Sequence, residues 1–221
     1  MAVARIEILP VSLIDEYHPL VEALKRRARS LRIELGWHYL LDLTWMLTNL
    51  GPVDGRHIMD AGAGMGLLRW VLAEQGAEVV SVDRYSRAAL PPHFRARYEV
   101  RGLRREDLAP IWRFACPPSR SWRALLRRGG DWLRFLLPRQ AIGRVIIYNQ
   151  DLKSLTDIPD HSLDAVAAVS ALEHNSPEGL GQVVMELRRM LKPGGVLLAT
   201  LGAARDKDWF HAPSKGMVLH Q

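Results

Sequence analysis

Residues 58–66 read Ile58-Met59-Asp60-Ala61-Gly62-Ala63-Gly64-Met65-Gly66, and this stretch constrains the fold of the 221-residue chain more than any other. An apolar segment ends in an acid, three glycines follow at alternate positions, and an apolar helical pattern runs from Leu67 to Ala73. The pattern predicts a buried strand, a tight turn, and a helix whose N-terminus faces a ligand. Glycine permits positive φ and lets a ligand approach the backbone where a Cβ would collide. Unpaired N–H groups at the start of a helix favour an electron-rich or anionic group. The spacing then separates ligands. A dinucleotide fingerprint needs G-x-G-x-x-G/A, and Leu67 stands where the third glycine or alanine belongs. Asp60 would repel a pyrophosphate and suits a cationic group, such as an α-amino group or a sulfonium. A bare structural turn is the alternative, so the reading depends on what lies downstream.

Composition narrows the class. The length suits one domain with an insertion. A hydrophobic content of 48% supports a sizeable core. No apolar run approaches the roughly 20 residues that cross a bilayer, and Met1–Glu7 lacks the charged and apolar regions of a secretory leader. Cys116 is the only cysteine. It allows no intrachain disulfide and no thiolate metal cluster, no metal ligands are nominated, and a reducing, cytoplasmic setting is expected. The net charge of +6 is unevenly spread: residues 84–144 hold fifteen arginines, no lysine and four acids, while the rest of the chain is net acidic.

The order of patterns predicts an α/β fold, a Rossmann-like, doubly wound, mostly parallel sheet. Residues 1–52 read as a helical lead-in, with one helix over 12–34 and another over 36–50, closed by Gly51-Pro52. Residues 53–221 read as the main domain. Its strands are expected at 57–60, 78–83, 144–148, 165–169 and 196–200, in the spatial order 3-2-1-4-5, with helices after strands one and four. Residues 84–143 are about twice as long as an ordinary connection and read as a basic helical insertion between strands two and three. Such a sheet binds its ligand at the carboxyl ends of the strands, near the switch point.

Residues at those ends carry the chemistry. Asp83 closes strand two, where an acid commonly accepts hydrogen bonds from ribose hydroxyls; a helix cap is the plainer reading. Arg84 beside it would suit a 2′-phosphate, but the dinucleotide spacing is missing. Asn149-Gln150-Asp151-Leu152 follows strand three, and Ser170-Ala171-Leu172-Glu173-His174 follows strand four.

D-x-G-x-G-x-G at 60–66 resembles the first motif of the class I S-adenosylmethionine-dependent methyltransferases, and in particular their type 11-like domains. Residues 155–164 are similar to that family's acid-x-x-x-L-P-F-x-x-x-S-F-D connection into strand four. Residues 170–174 match its strand-four motif, and 185–195, ending in Lys192-Pro193-Gly194-Gly195, resemble its helix and turn before strand five. The resemblance implies S-adenosylmethionine as cofactor, held by Asp60, Ala61, Gly62, Ala63, Gly64, Gly66, Asp83, Arg84, Asp151, Leu152 and Ser170. An acid at Asp151 would bond the adenine amino group. His174 is the side chain nominated for proton removal, with an ordinary helix-start role as the alternative. Trp37, His38 and Tyr39 are positioned to overhang the cofactor.

Two departures from the family stand out. Its sheet usually has seven strands, and the twenty-one residues after Thr200 leave no room for a helix and two full strands. Strands six and seven are expected to be missing, through truncation or abbreviation. The exposed edge of strand five would then invite pairing with a second copy. The insertion interleaves Trp122, Leu125, Leu126, Trp132, Leu133, Leu136 and Leu137 with arginines. It suits a lid, an RNA-docking surface, a contact with an anionic membrane, or simply a helix with one solvated face. The expected activity is in-line methyl transfer to an O, N or C nucleophile of a small molecule. The alternatives are an RNA methyltransferase, a non-catalytic cofactor-binding module and, more remotely, a nicotinamide oxidoreductase.

Overall fold

The structure, a computed structural model, describes residues 5–110, 141–204, 209–211 and 216–220, the last three segments from 203 onward by backbone alone. The lead-in forms α1 (Leu13–Glu16), α2 (His18–Leu31) and α3 (Trp37–Leu50). The helix expected over 12–34 is thus broken at Tyr17, with Pro19 in the first turn of the second piece, where a missing N–H costs nothing. Arg32 ends α2 in the left-handed conformation at φ 58°.

A six-stranded, fully parallel sheet follows: β1 (His57–Ala61), β2 (Glu78–Asp83), β3 (Glu99–Gly102), β4 (Arg144–Asn149), β5 (Leu163–Val169) and β6 (Leu191–Thr200), in the order β3-β4-β2-β1-β5-β6. Five of them, β4-β2-β1-β5-β6, reproduce the expected 3-2-1-4-5. The addition is β3, inside the stretch expected to be an insertion without strands. Its sequence, Glu-Val-Arg-Gly, has one apolar residue and leaves Arg101 exposed, so it carries none of the apolar run that marks the inner strands. The short helix α5 (Pro92–Arg95) precedes it. The amphipathic segment expected over 122–139 lies outside the described residues.

Alternating side chains feed two cores, as strand geometry requires. Ile58, Val79, Val145 and Ala165 face α2, α3 and α4 (Leu68–Glu74), with Val21, Leu24, Met46 and Trp70. Met59, Val82, Tyr148 and Val166 face α6 (Pro177–Met190), with Val183, Leu187 and Met190. The lead-in helices therefore share the core of the sheet. Covering both faces suits a parallel sheet. Ser176 caps α6 by accepting from the Gly179 amide at 3.2 Å.

After β6 the chain forms short strands β7 (Ala203–Ala204), β8 (Trp209–His211) and β9 (Gly216–His220) in a separate sheet, with β9 parallel to β7 and antiparallel to β8. These short strands are additional to the expected five, and they form a sheet of their own. None of the three joins the main sheet, and β6 remains its edge among the described residues.

Candidate functional site

At the carboxyl ends of β1, β2, β4 and β5 lies a cavity of about 690 Å³. The glycine turn forms its floor. Gly62 and Gly64 adopt φ of 70° and 47°, which side chains disfavour. A Cβ at Gly62 would collide with that of Ala171, whereas one at Gly64 would meet open space. The Gly64 amide donates to Asp83 Oδ2 at 2.7 Å and the Tyr85 amide to Oδ1 at 2.8 Å. One carboxylate at the end of β2 thus fixes the turn after β1, and each oxygen keeps a lone pair for a further donor.

Asp60 is buried beneath the turn, and its Oδ2 has no hydrogen-bond partner. Burial pushes its carboxyl up to about 6, against the attraction of the Arg69 and Arg87 guanidiniums. Arg69 is fully buried and donates from Nη1 to the carbonyls of Ala63 at 3.1 Å and Gly64 at 2.9 Å. It holds the turn from below, and burial pushes its guanidinium down to about 10. Arg87 ties β2 to β4 by donating to the Ser81 hydroxyl and carbonyl and to the Tyr148 carbonyl, at 2.5, 2.7 and 3.2 Å.

The end of β4 is fixed in the same manner. Asp107 accepts from the Asn149 amide at 2.9 Å and from the Arg104 amide at 2.8 Å, and Arg104 donates to the Asn149 carbonyl at 2.9 Å. Although burial opposes it, the Arg104 guanidinium, which donates to Asp107 Oδ1 at 3.2 Å, and the two amides hold the Asp107 carboxyl below its usual range. Asp151 and Leu152 leave this anchored strand to line the cavity, and Asp151 Oδ1 accepts the Lys153 amide at 2.9 Å.

Most of the expected site residues meet here: Asp60, Gly62, Ala63, Gly64, Gly66, Asp83, Arg84, Asp151, Leu152, Ser170 and His174 all line the cavity. Ala61 does not; as the last residue of β1 it turns into the core on the α6 side. Tyr39 lines the cavity, while Trp37 and His38 do not, and Trp37 is exposed. Arg84 sits over the Tyr85 ring and donates to its hydroxyl at 3.2 Å.

Several contributors escaped the sequence reading. Residues 31–35 also line the cavity. Arg69 is fully buried, as are Leu68, Trp70, Leu72 and Ala73 around it. Arg87 and Asp107 lie in the supposed insertion, where no pattern assigned them a strand end to serve.

Comparison with known proteins agrees with this geometry. Residues 132–199, which run through β4, β5 and α6 into β6, match the sequence model of the family described as "Methyltransferase domain". The chain is similar to the ribosomal RNA small subunit methyltransferase A of Rhodopseudomonas palustris strain BisB18, at 36% identity over 97 residues, 39% of this chain and 34% of that protein. It is also similar to the chloroplastic ribosomal RNA small subunit methyltransferase of Arabidopsis thaliana, at 34% identity over 73 residues, 32% of this chain and 21% of that protein. The chain spans about a third or less of the length of these curated relatives. Among solved structures it is similar to the Burkholderia thailandensis 1,6-didemethyltoxoflavin-N1-methyltransferase, at 16% identity and TM-score 0.47, covering 100% of this chain and 77% of that one. Residues 132–199 thus match a methyltransferase family model, and the glycine turn at 60–66, which lies outside that segment, resembles the first motif of the class I S-adenosylmethionine-dependent methyltransferases.

Proposed function

We propose that the chain is an S-adenosylmethionine-dependent methyltransferase whose cofactor occupies the cavity at the carboxyl ends of β1, β2, β4 and β5. The observation that carries this is the meeting of the glycine turn, Asp83 and Asp151 around one space, in the order the sequence motifs demand. The residues fit the group. Gly62 and Gly64 leave the backbone bare, the unpartnered Asp60 oxygen suits the positive charge of the methionine end, Asp83 has free lone pairs for ribose hydroxyls, and Asp151, on the same cavity, is the acid proposed to accept from the adenine amino group. Bound there, the cofactor supplies a methyl group already activated on a sulfonium.

The protein's own work is then placement and the exclusion of water. The cavity falls within the range of about 300–1,000 Å³ of small-molecule sites, and Ile33, Leu35, Tyr39 and Leu43 give it an apolar wall. These features favour a small-molecule acceptor presenting an O, N or C nucleophile. His174, on the same cavity, is the group to take a proton where the acceptor must lose one. An RNA acceptor is the second reading. The names of the curated relatives favour it, as does the arginine-rich character of residues 84–144.

Calorimetry with S-adenosylmethionine tests the site. Binding in the micromolar range is expected, with Asp83→Ala weakening it roughly tenfold or more, the scale of about 1.4 kcal/mol for two lost hydrogen bonds. Equal affinity in the variant would sink the assignment. Transfer of labelled methyl groups into a cell extract separates the acceptors. Label in the low-molecular-weight fraction is expected, and label in RNA that falls steeply with salt would decide for the second reading.

A further inference from the structure

Ser170 ends β5 with φ of 46°, in the left-handed region. A residue with a Cβ is uncommon there and persists only when its surroundings over-determine it. Here three bonds do so. Its amide donates to the carbonyl of Thr200 at 3.1 Å and to Thr200 Oγ1 at 3.2 Å, and its hydroxyl donates to Asp42 Oδ2 at 3.0 Å. The Thr200 bonds come from the neighbouring strand. Asp42 comes from α3, 128 residues earlier in the chain.

The consequences reach the cofactor floor. The backbone turned at Ser170 sets Ala171, whose Cβ fills the space that a side chain at Gly62 would need. The Leu172–His174 turn follows, and Ser170, Ala171 and His174 all line the cavity. Asp42 does not line it. Its carboxyl is half-buried, and burial raises it above its usual range while the bonds from Ser170 and Thr200 pull it down. The bond from the hydroxyl of a strained residue on the cavity wall gives this half-buried acid a specific partner.

We propose that Asp42 is a positioning residue: through the Ser170 hydroxyl it locks the left-handed turn that completes the cofactor cavity, so that the lead-in helix α3 controls donor binding without touching the donor. This rests on the cofactor reading above and adds a residue to it.

A double-mutant cycle on the full chain tests the proposal. Glycine adopts the left-handed conformation without strain, so on a Ser170→Gly background the lock has nothing to hold. Asp42→Ala is expected to weaken S-adenosylmethionine binding about tenfold in the native background and less than about twofold in the Ser170→Gly background. Asp42→Asn, which keeps an oxygen to accept the Ser170 hydroxyl, is expected to recover most of the affinity. Hydrogen exchange of the 168–175 backbone without cofactor provides an independent readout. It should quicken in Asp42→Ala and show no Asp42 dependence once Ser170 is glycine. Equal losses on both backgrounds, or exchange at 168–175 indifferent to Asp42, would reduce Asp42 to a packing residue and overturn the proposal. If the native chain binds no S-adenosylmethionine, the cofactor reading fails, and the exchange arm still decides whether the lock exists.

Discussion

Gly62 shows how little freedom single positions of this site have. Its φ of 70° and the proximity of Ala171 each forbid a side chain. Gly62→Ala is expected to destabilise the fold by roughly 1–3 kcal/mol and to abolish cofactor binding, because relief of the clash must shift either the turn or the Ser170–Ala171 wall. Denaturant midpoints and calorimetry check both, and a variant that binds normally would refute the packing argument. This glycine and the acids Asp60, Asp83 and Asp151 were legible in the sequence because their spacing mirrors the period of strand, turn and helix. Arg69 was not. A charged residue is by default placed in solvent, and only its burial among Leu68, Trp70, Leu72 and Ala73 reverses that. The Asp42–Ser170 bond was equally hidden, since a contact across 128 residues leaves no local pattern.

At the scale of elements, the inner strands announced themselves as β-branched, apolar runs, as sheets covered on both faces require. The edge strand β3 did not, because an edge strand needs few apolar residues and is fixed by its neighbour. That neighbour is held by Asp107, whose side chain and backbone carbonyl both bind Asn149 at the end of β4. Asp107→Asn keeps the shape, but replaces charge-assisted bonds to Arg104 and the backbone with neutral or mismatched ones. The expected cost is about 2 kcal/mol in stability, together with a several-fold loss of donor affinity, because Asp151 begins two residues beyond. Chemical denaturation and titration with S-adenosylmethionine measure the two effects. Full affinity in a clearly destabilised variant would detach the β3 loop from the site.

For the molecule as a whole, acids shifted in opposite directions compete. Asp107, Asp164 and Glu186 are held below their usual range, so the stability they give is present above it and lost on acidification. Asp60 acts the other way. Its folded value of about 6 lies above the unfolded 3.8, so the folded chain binds the extra proton and stability falls as pH rises from about 4 to 6. Asp60→Asn is therefore expected to make the dependence of unfolding free energy on pH more positive across that window, by on the order of 2–3 kcal/mol in total. The slope is the readout, because the same change also removes the countercharge of Arg69 and shifts the baseline. Identical slopes in the two proteins would mean that Asp60 is already ionised throughout.

The buried acid with a bare oxygen has one more consequence. A methyl donor carries a sulfonium charge that the demethylated product lacks. In the proposed site the α-ammonium group is common to donor and product, so a difference at Asp60 comes from the sulfonium alone, and near pH 6 the donor is expected to expel more of the Asp60 proton than the product does. Heats of binding measured in buffers of different ionisation enthalpy would then differ for the donor and coincide more nearly for the product, making Asp60 a built-in reporter of whether the methyl group has been spent.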